Sequence, residues 1–146
     1  MNNAKPLTAG GLYVNLPVQD LPKSIAFYTA LGFSFNPQFT DETATCMIVG
    51  ENMAVMLLTQ EKFRQFTPLP ISDAKKASEV LLCISLDSRA QVDELVRLAV
   101  AHGGKTLRAP DDYGFMYSHS FQDLDGHIWE PMVMDMTAFE KARQGD

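Results

Sequence analysis

The chain predicts an α+β fold: two β-α-β-β-β modules whose curved sheets face each other across a shared cleft. Three observations carry this reading. Leu12–Val18 and Val80–Leu86 are both short β-type runs, each leading through a polar capping residue into an amphipathic helix. Both helices end at glycine, Gly32 in one half and Gly103 or Gly104 in the other, and a β-rich stretch follows each. Equivalent points recur at one offset: Val14 and Leu82 lie 68 positions apart, as do the helix starts near 21 and 89.

Each element has a local cause. Residues 12–18 alternate and carry Val and Leu, so they read as a strand. Asp20 is a helix N-cap, and Pro22 falls in the first turn, where a missing N–H costs nothing. Gly32 ends that helix in a left-handed conformation. Phe33–Phe39, with Pro37 inside it, predicts an irregular strand. Thr45–Val49 and Ala54–Thr59 follow as strands around a turn at Gly50, Glu51 and Asn52. Glu61–Phe66 predicts one or two helical turns, which Pro68 and Pro70 stop. Ser72–Ser78 is read as a possible start of another short helix.

In the second half, Val80–Leu86 predicts a strand and Ser88 caps the next helix. Val92, Leu95, Val96 and Ala99 form its apolar stripe. Lys105–Ala109 predicts a strand before a turn at 110–112. Phe115–Gln122 and His127–Met134 predict a closing hairpin around Asp123–Gly126, where Gly126 supplies the positive φ. Residues 135–146 predict a short helical or frayed tail. The domain is expected over 12–134, with modules at about 12–59 and 80–134 and a linker at about 60–79.

Composition narrows the function. Of 146 residues, 46% are hydrophobic and 21% charged, which fits a globular protein with its own core. The net charge of −6 repels phosphate backbones, and the basic residues form no run, so neither nucleic acid nor an anionic membrane is expected as a partner. No apolar stretch has the length of a membrane span, and residues 1–10 lack the apolar centre of a signal peptide, so a cytoplasmic location is expected. Cys46 and Cys83 have no metal-type spacing and read as two buried small hydrophobes.

Four segments carry a resemblance in the right order: Val14-Asn-Leu-Pro-Val-Gln-Asp-Leu-Pro-Lys-Ser24, Phe27-Tyr28, Leu31-Gly32-Phe33, and Asp123-Leu-Asp-Gly-His-Ile-Trp-Glu130. Together they resemble the vicinal oxygen chelate superfamily of glyoxalase I, bleomycin-resistance proteins and extradiol dioxygenases. The likeness is nearest to the glyoxalase-like branch often labelled predicted lactoylglutathione lyase. The resemblance implies four inward positions that hold a divalent ion in metal-dependent members. Motif alignment puts these at Tyr13, Leu57, Leu81 and Glu130. Only Glu130 is a suitable ligand, and two leucines coordinate nothing, so no metal and no cofactor are expected, and metal-dependent glyoxalase chemistry is disfavoured.

Strand parity then fills the cleft. Tyr13 brings Asn15, Leu57 brings Val55 and Thr59, Leu81 brings Cys83 and Ser85, and Glu130 brings Ile128 and Met132. Met116 adds adaptable lining. His119 joins the set if its ring turns toward Glu130. This make-up, apolar with a few polar groups, suits a small-molecule ligand. Glu130 in an apolar cleft is the candidate general base, with Tyr13 donating to it or to a substrate carbonyl. The alternative keeps Glu130 as a structural acceptor for Tyr13 and Asn15.

The function expected is a small-molecule binder of the bleomycin-resistance type, without the usual metal and homodimeric. A lyase or isomerase of a small carbonyl compound, using Glu130, stands as the alternative; a protein of interaction only stands third. The residues do not settle whether the chain is an enzyme.

Overall fold

The computed structural model describes residues 4–145. The elements run β1 (Leu12–Val18), α1 (Leu21–Ala30), β2 (Ser34–Asn36), β3 (Ala44–Gly50), β4 (Met53–Thr59) and α2 (Gln60–Arg64), then β5 (Leu81–Ser85), α3 (Arg89–Ala101), β6 (Asp111–Asp112), β7 (Met116–Ser118), β8 (Phe121–Gln122), β9 (Ile128–Met134) and α4 (Met136–Gln144). The fold is α+β, with two mixed sheets. Among the described residues no helix is long and apolar enough to cross a membrane.

Two compact units emerge, and they do not follow the sequence halves. One comprises the chain up to Ile25 and Phe33–Ile71; the other comprises Ala26–Gly32 and the chain from Ser72 onward. Helix α1 begins in the first and finishes in the second.

The first unit holds the sheet β1-β4-β3-β2. Strand β1 runs parallel to β4, pairing Leu16 with Leu57 and Val18 with Thr59; β3 runs antiparallel to β4, pairing Thr45 with Leu57 and Met47 with Val55. Paired residues share a face, because side chains alternate with period two. One face is therefore Leu16, Val18, Val55, Leu57, Thr45 and Met47, and all six are buried. The Thr45 hydroxyl keeps a partner there, 2.8 Å from that of Thr40. Pro37 turns residues 37–39 into a single 3-10 turn rather than a continued strand. The β3–β4 connection uses Asn52 at φ 56°, the left-handed region that Asn tolerates better than most residues.

The second unit holds the sheet β5-β9-β7-β6, with β8 also on β9. Strands β7 and β8 are one strand interrupted at its centre. Ser118 pairs with Met132 and Phe121 with Trp129, in a single register. Between them, the N–H of His119 donates to the Pro131 carbonyl at 3.2 Å. Proline has no N–H to return, so the ladder loses the reciprocal bond and breaks there.

Helix α3 packs on β7, β8 and β9 through Val92, Leu95, Val96 and Ala99, with Ser88 capping it by accepting from the Gln91 N–H at 3.1 Å. The second half of α1 adds Phe27 and Tyr28. Their rings lie 6.5 Å from Phe121 and 5.9 Å from Trp129 respectively. Gly104 is required by this packing: a Cβ there would lie 2.5 Å from the Gln122 carbonyl oxygen and 2.9 Å from that of Ala99. Gly126 adopts φ 94°, as the closing turn demands.

Three local expectations change. Lys105–Ala109 is not a strand; only Lys105 bridges to Gln122. The pairing partner of β7 is Asp111–Asp112, read from sequence as a turn. Ser72–Ser78 forms turns and no helix, with the Asp73 carboxylate accepting from the Lys75 N–H at 2.9 Å, an acceptor that favours a turn over helix continuation.

Candidate functional site

Glu130 lies at the middle of β9, opposite Cys83 on the parallel neighbour β5. Its face continues through Leu81, Ser85, Ile128 and Met132 in the same ladder, and through Met116 and Ser118 across β7. Leu81 is 54% exposed, and Cys83 and Ser85 are exposed. The structure places Leu81, Ser85, Met116 and Glu130 on one face of the second sheet. The carboxylate of Glu130 makes no hydrogen bond or ion pair among the described residues. Neither does the hydroxyl of Ser85.

Cys83 lies on this face as well, as its alternation with Leu81 and Ser85 anticipates. Its position opposite Glu130 follows from the β5–β9 register, which sequence alone does not fix. Partial burial raises the Cys83 thiol above its ordinary pKa, and the negative charge of Glu130 adds to that. The group is therefore a neutral thiol at neutral pH, a soft contact rather than an activated nucleophile. The expectation that both cysteines are buried is corrected: Cys83 is exposed and Cys46 half-buried.

On the first sheet, Tyr13 and Asn15 share a face with Ala54 and Met56, and with Cys46 beside Met56. Tyr13 is 61% exposed, and Asn15 is exposed too. Neither side chain has a hydrogen bond among the described residues. Leu57 and Thr59 lie on the opposite, buried face. Leu57 is fully buried, and the Thr59 hydroxyl caps α2 by accepting from the Lys62 N–H at 3.2 Å. The grouping of Leu57 and Thr59 with Tyr13 and Asn15 is therefore corrected. Motif alignment ran one residue off the parity, and Met56 shares Tyr13's face instead.

His119 is also corrected. It follows Ser118, so its side chain takes the face opposite Glu130. It lines a groove with Asp93, Val96, Arg97, Val100 and Ala101 of α3.

The most deeply buried polar cluster joins Tyr28, Asp123 and Trp129. The Tyr28 hydroxyl donates to Asp123 Oδ2 at 2.5 Å and accepts from Trp129 Nε1 at 2.9 Å. Asp123 Oδ1 accepts from the N–H groups of Asp125 and His127, both at 2.9 Å. Burial raises the Asp123 pKa, against the opposing pull of His127 and these hydrogen bonds. Burial and the adjacent Asp123 charge push the Tyr28 phenol well above its ordinary value. This cluster locks the closing turn to α1. In sequence its members are 95 and 101 residues apart, and only the motif residues Phe27-Tyr28 and Asp123 hinted at it.

The donor set does not suit the divalent ion that the resemblance implies. The residues at the corresponding face positions are Tyr13 and Met56 on one sheet, and Leu81 and Glu130 on the other. Neither sheet offers a hard-cation cage by itself: a phenol and a thioether stand on the first, an aliphatic chain and one carboxylate on the second. Among the described residues, no three His, Cys, Asp or Glu side chains gather where they would hold an ion.

Residues 12–50 match the family described as bleomycin resistance protein-like N-terminal. No curated protein sequence matches the chain. Among solved structures, a hypothetical protein from S. aureus is 28% identical, with a TM-score of 0.73 over 86% of this chain and 94% of that one. A glyoxalase/bleomycin resistance protein/dioxygenase family enzyme from Burkholderia phytofirmans is 22% identical, with a TM-score of 0.70 over 84% and 96%. A lactoylglutathione lyase from Agrobacterium tumefaciens is 20% identical, with a TM-score of 0.64 over 90% and 98%.

Proposed function

We propose that this chain, whose N-terminal part matches a bleomycin resistance protein-like family and whose fold is similar to that of a glyoxalase/bleomycin resistance protein/dioxygenase family enzyme, binds a small organic molecule without a metal ion. The surface proposed to bind it is the sheet face centred on Glu130. One observation carries the reading: an unpartnered carboxylate stands on an open face of apolar and sulfur-bearing side chains, Leu81, Ile128, Met116, Met132 and Cys83. Apolar surroundings with one charged acceptor are the make-up of a small-molecule site. The matching ligand has an apolar body and a hydrogen-bond donor for Glu130.

The same carboxylate supports a second reading, a lyase or isomerase of a small carbonyl compound. Glu130 then takes a proton from the carbon beside the carbonyl and returns it elsewhere, with no metal to hold the enolate oxygen. The exposed apolar side chains Leu12, Ile48 and Met53 of the first sheet support association with a second copy. Sedimentation velocity checks this: a homodimer at micromolar concentration is expected, and a monomer there ends the proposal.

A thermal-shift screen of metabolites and divalent metals tests the main reading. Organic ligands that bind the folded state raise its midpoint, and metals leave it unchanged. A stoichiometric divalent ion retained through purification overturns it.

A further inference from the structure

The register of the second sheet fixes which side chains adjoin Glu130. Cys83 stands opposite it on β5. On the other side, Ser118 pairs with Met132 and Phe121 with Trp129, so the same register sets Ser120 opposite Glu130. The His119 N–H donates to the Pro131 carbonyl, which makes the next step, Ser120 and Glu130, a non-hydrogen-bonded pair, the kind whose side chains come closer. One row along, Met132 lies between Ser85 on β5 and Ser118 on β7. Three short hydroxyl side chains thus neighbour the carboxylate, directly or on the diagonal, among the longer apolar side chains of this face. None of the three hydroxyls has a hydrogen-bond partner among the described residues.

The face carries charge of one sign. No strand of the second sheet contains a lysine, an arginine or a histidine. The edge-strand residue Asp111, opposite Ser118, shares the face, and Arg108 already holds its carboxylate at 2.9 Å. Glu130 is left without a counter-charge. A carboxylate only accepts hydrogen bonds, so the partner it calls for brings donors and a positive charge. The kind of cation follows from what the face lacks. Tyr117, Phe121 and Trp129 alternate to the opposite side, and no aromatic ring stands in the rows around Glu130. Quaternary ammonium groups and stacked guanidinium groups use such rings. A primary ammonium group uses acceptors instead, one for each of its three N–H bonds, and Glu130 with its serine oxygens supplies them.

We propose that the ligand of this face is a protonated primary aliphatic amine, an inference that rests on reading the face as a small-molecule site. Its ammonium group sits on Glu130 and the hydroxyl oxygens of Ser120 and Ser118, and its alkyl body lies along Leu81, Ile128, Met116 and Met132. An anion of the same shape meets only repulsion from Glu130. A neutral alcohol keeps the apolar contacts but offers one donor and no charge.

The test is a chemical-shift titration of the isotope-labelled full chain at neutral pH with n-hexylamine, 1-hexanol and hexanoate, which share one alkyl chain and differ in the head group. The expected result is saturable movement of the amides of Cys83, Ser85, Ser120 and Glu130 with hexylamine. Hexanol should bind roughly tenfold or more weakly, the worth of a charge-assisted hydrogen bond, and hexanoate not at all. Glu130→Gln should bring hexylamine and hexanol level. Ser120→Ala should weaken hexylamine roughly twofold to tenfold, the worth of one hydrogen bond. Hexanol or hexanoate binding these amides as tightly as hexylamine overturns the amine class while leaving the face a small-molecule site. A preference for hexylamine that survives Glu130→Gln overturns it as well. Movement by none of the probes also overturns it, and the thermal-shift screen then decides the small-molecule reading separately.

Discussion

Tyr28 and Asp123 share a 2.5 Å hydrogen bond between the end of α1 and the start of the closing turn, inside a shell of three other aromatic rings. Both groups are buried, so the bond replaces water that neither can reach. Tyr28→Phe removes a donor from Asp123 and an acceptor from Trp129 while keeping the ring. The expected loss is about 1–3 kcal/mol of folding stability, the cost of leaving a buried polar group under-satisfied. Urea denaturation with an unchanged m-value checks it.

Two aspartates should titrate in opposite senses. The folded-state pKa of Asp123 is raised by burial from an ordinary 3.8, so its contribution to stability is full below 3.8 and is lost as pH rises through the folded value. The stability of the wild type relative to Asp123→Asn should therefore fall as pH rises above 3.8. Asp112 is held down to about 2, first by the Arg89 guanidinium, with which it makes bonds of 2.6 and 2.8 Å. Its contribution is present above 3.8 and disappears as pH falls toward 2. Proton-linked chemical shifts of the two carboxyl carbons, in wild type and in Arg89→Met, separate them: only Asp112 should move upward in the variant.

The register of the first sheet makes a sharper claim about Leu57 and Met56. Leu57→Ala excavates a fully buried position and should cost about 2–5 kcal/mol. Tyr13→Phe and Asn15→Ala alter the exposed face and should change stability by less than about 0.5 kcal/mol. Equal and large losses at Leu57, Tyr13 and Asn15 would reject the face assignment.

Much of this was legible beforehand, for a local reason. The strand at 12–18, both long helices and the glycines ending them are written in periodicity and capping, which depend on near neighbours. The alternation of Leu81 with Ser85 and of Glu130 with Met132 was legible as well, because each pair sits on one unbroken strand, whereas Met116 was named only for its adaptable side chain. The Leu57 assignment went astray because motif alignment across a loop carries no parity; only the pairing of Asn15 with Met56 fixes it. His119 was undecidable since the strand holding it breaks, and the cause is a proline on the neighbouring strand. The Tyr28 cluster was out of reach because contacts so distant in sequence leave no periodic trace.

Glu130→Gln keeps the side-chain shape and removes the charge. A ligand held by a charge-assisted hydrogen bond should lose roughly tenfold to a hundredfold in affinity by calorimetric titration, about 1.5–3 kcal/mol. Where turnover of a carbonyl compound is found, kcat should instead drop roughly 10²–10⁴-fold with affinity largely kept, the signature of a lost general base. Retention of both affinity and turnover removes Glu130 from either role.

The ownership of Tyr28 governs how this gene product can be cut. A peptide starting at Ser72 contains the second sheet yet lacks the two rings from 27 and 28 that close over Trp129 and Phe121. Expressed alone, it should behave as an open, sticky fragment. Supplying residues 1–71 in trans should restore near-ultraviolet dichroism, so the apparent tandem repeat is not a pair of autonomous pieces.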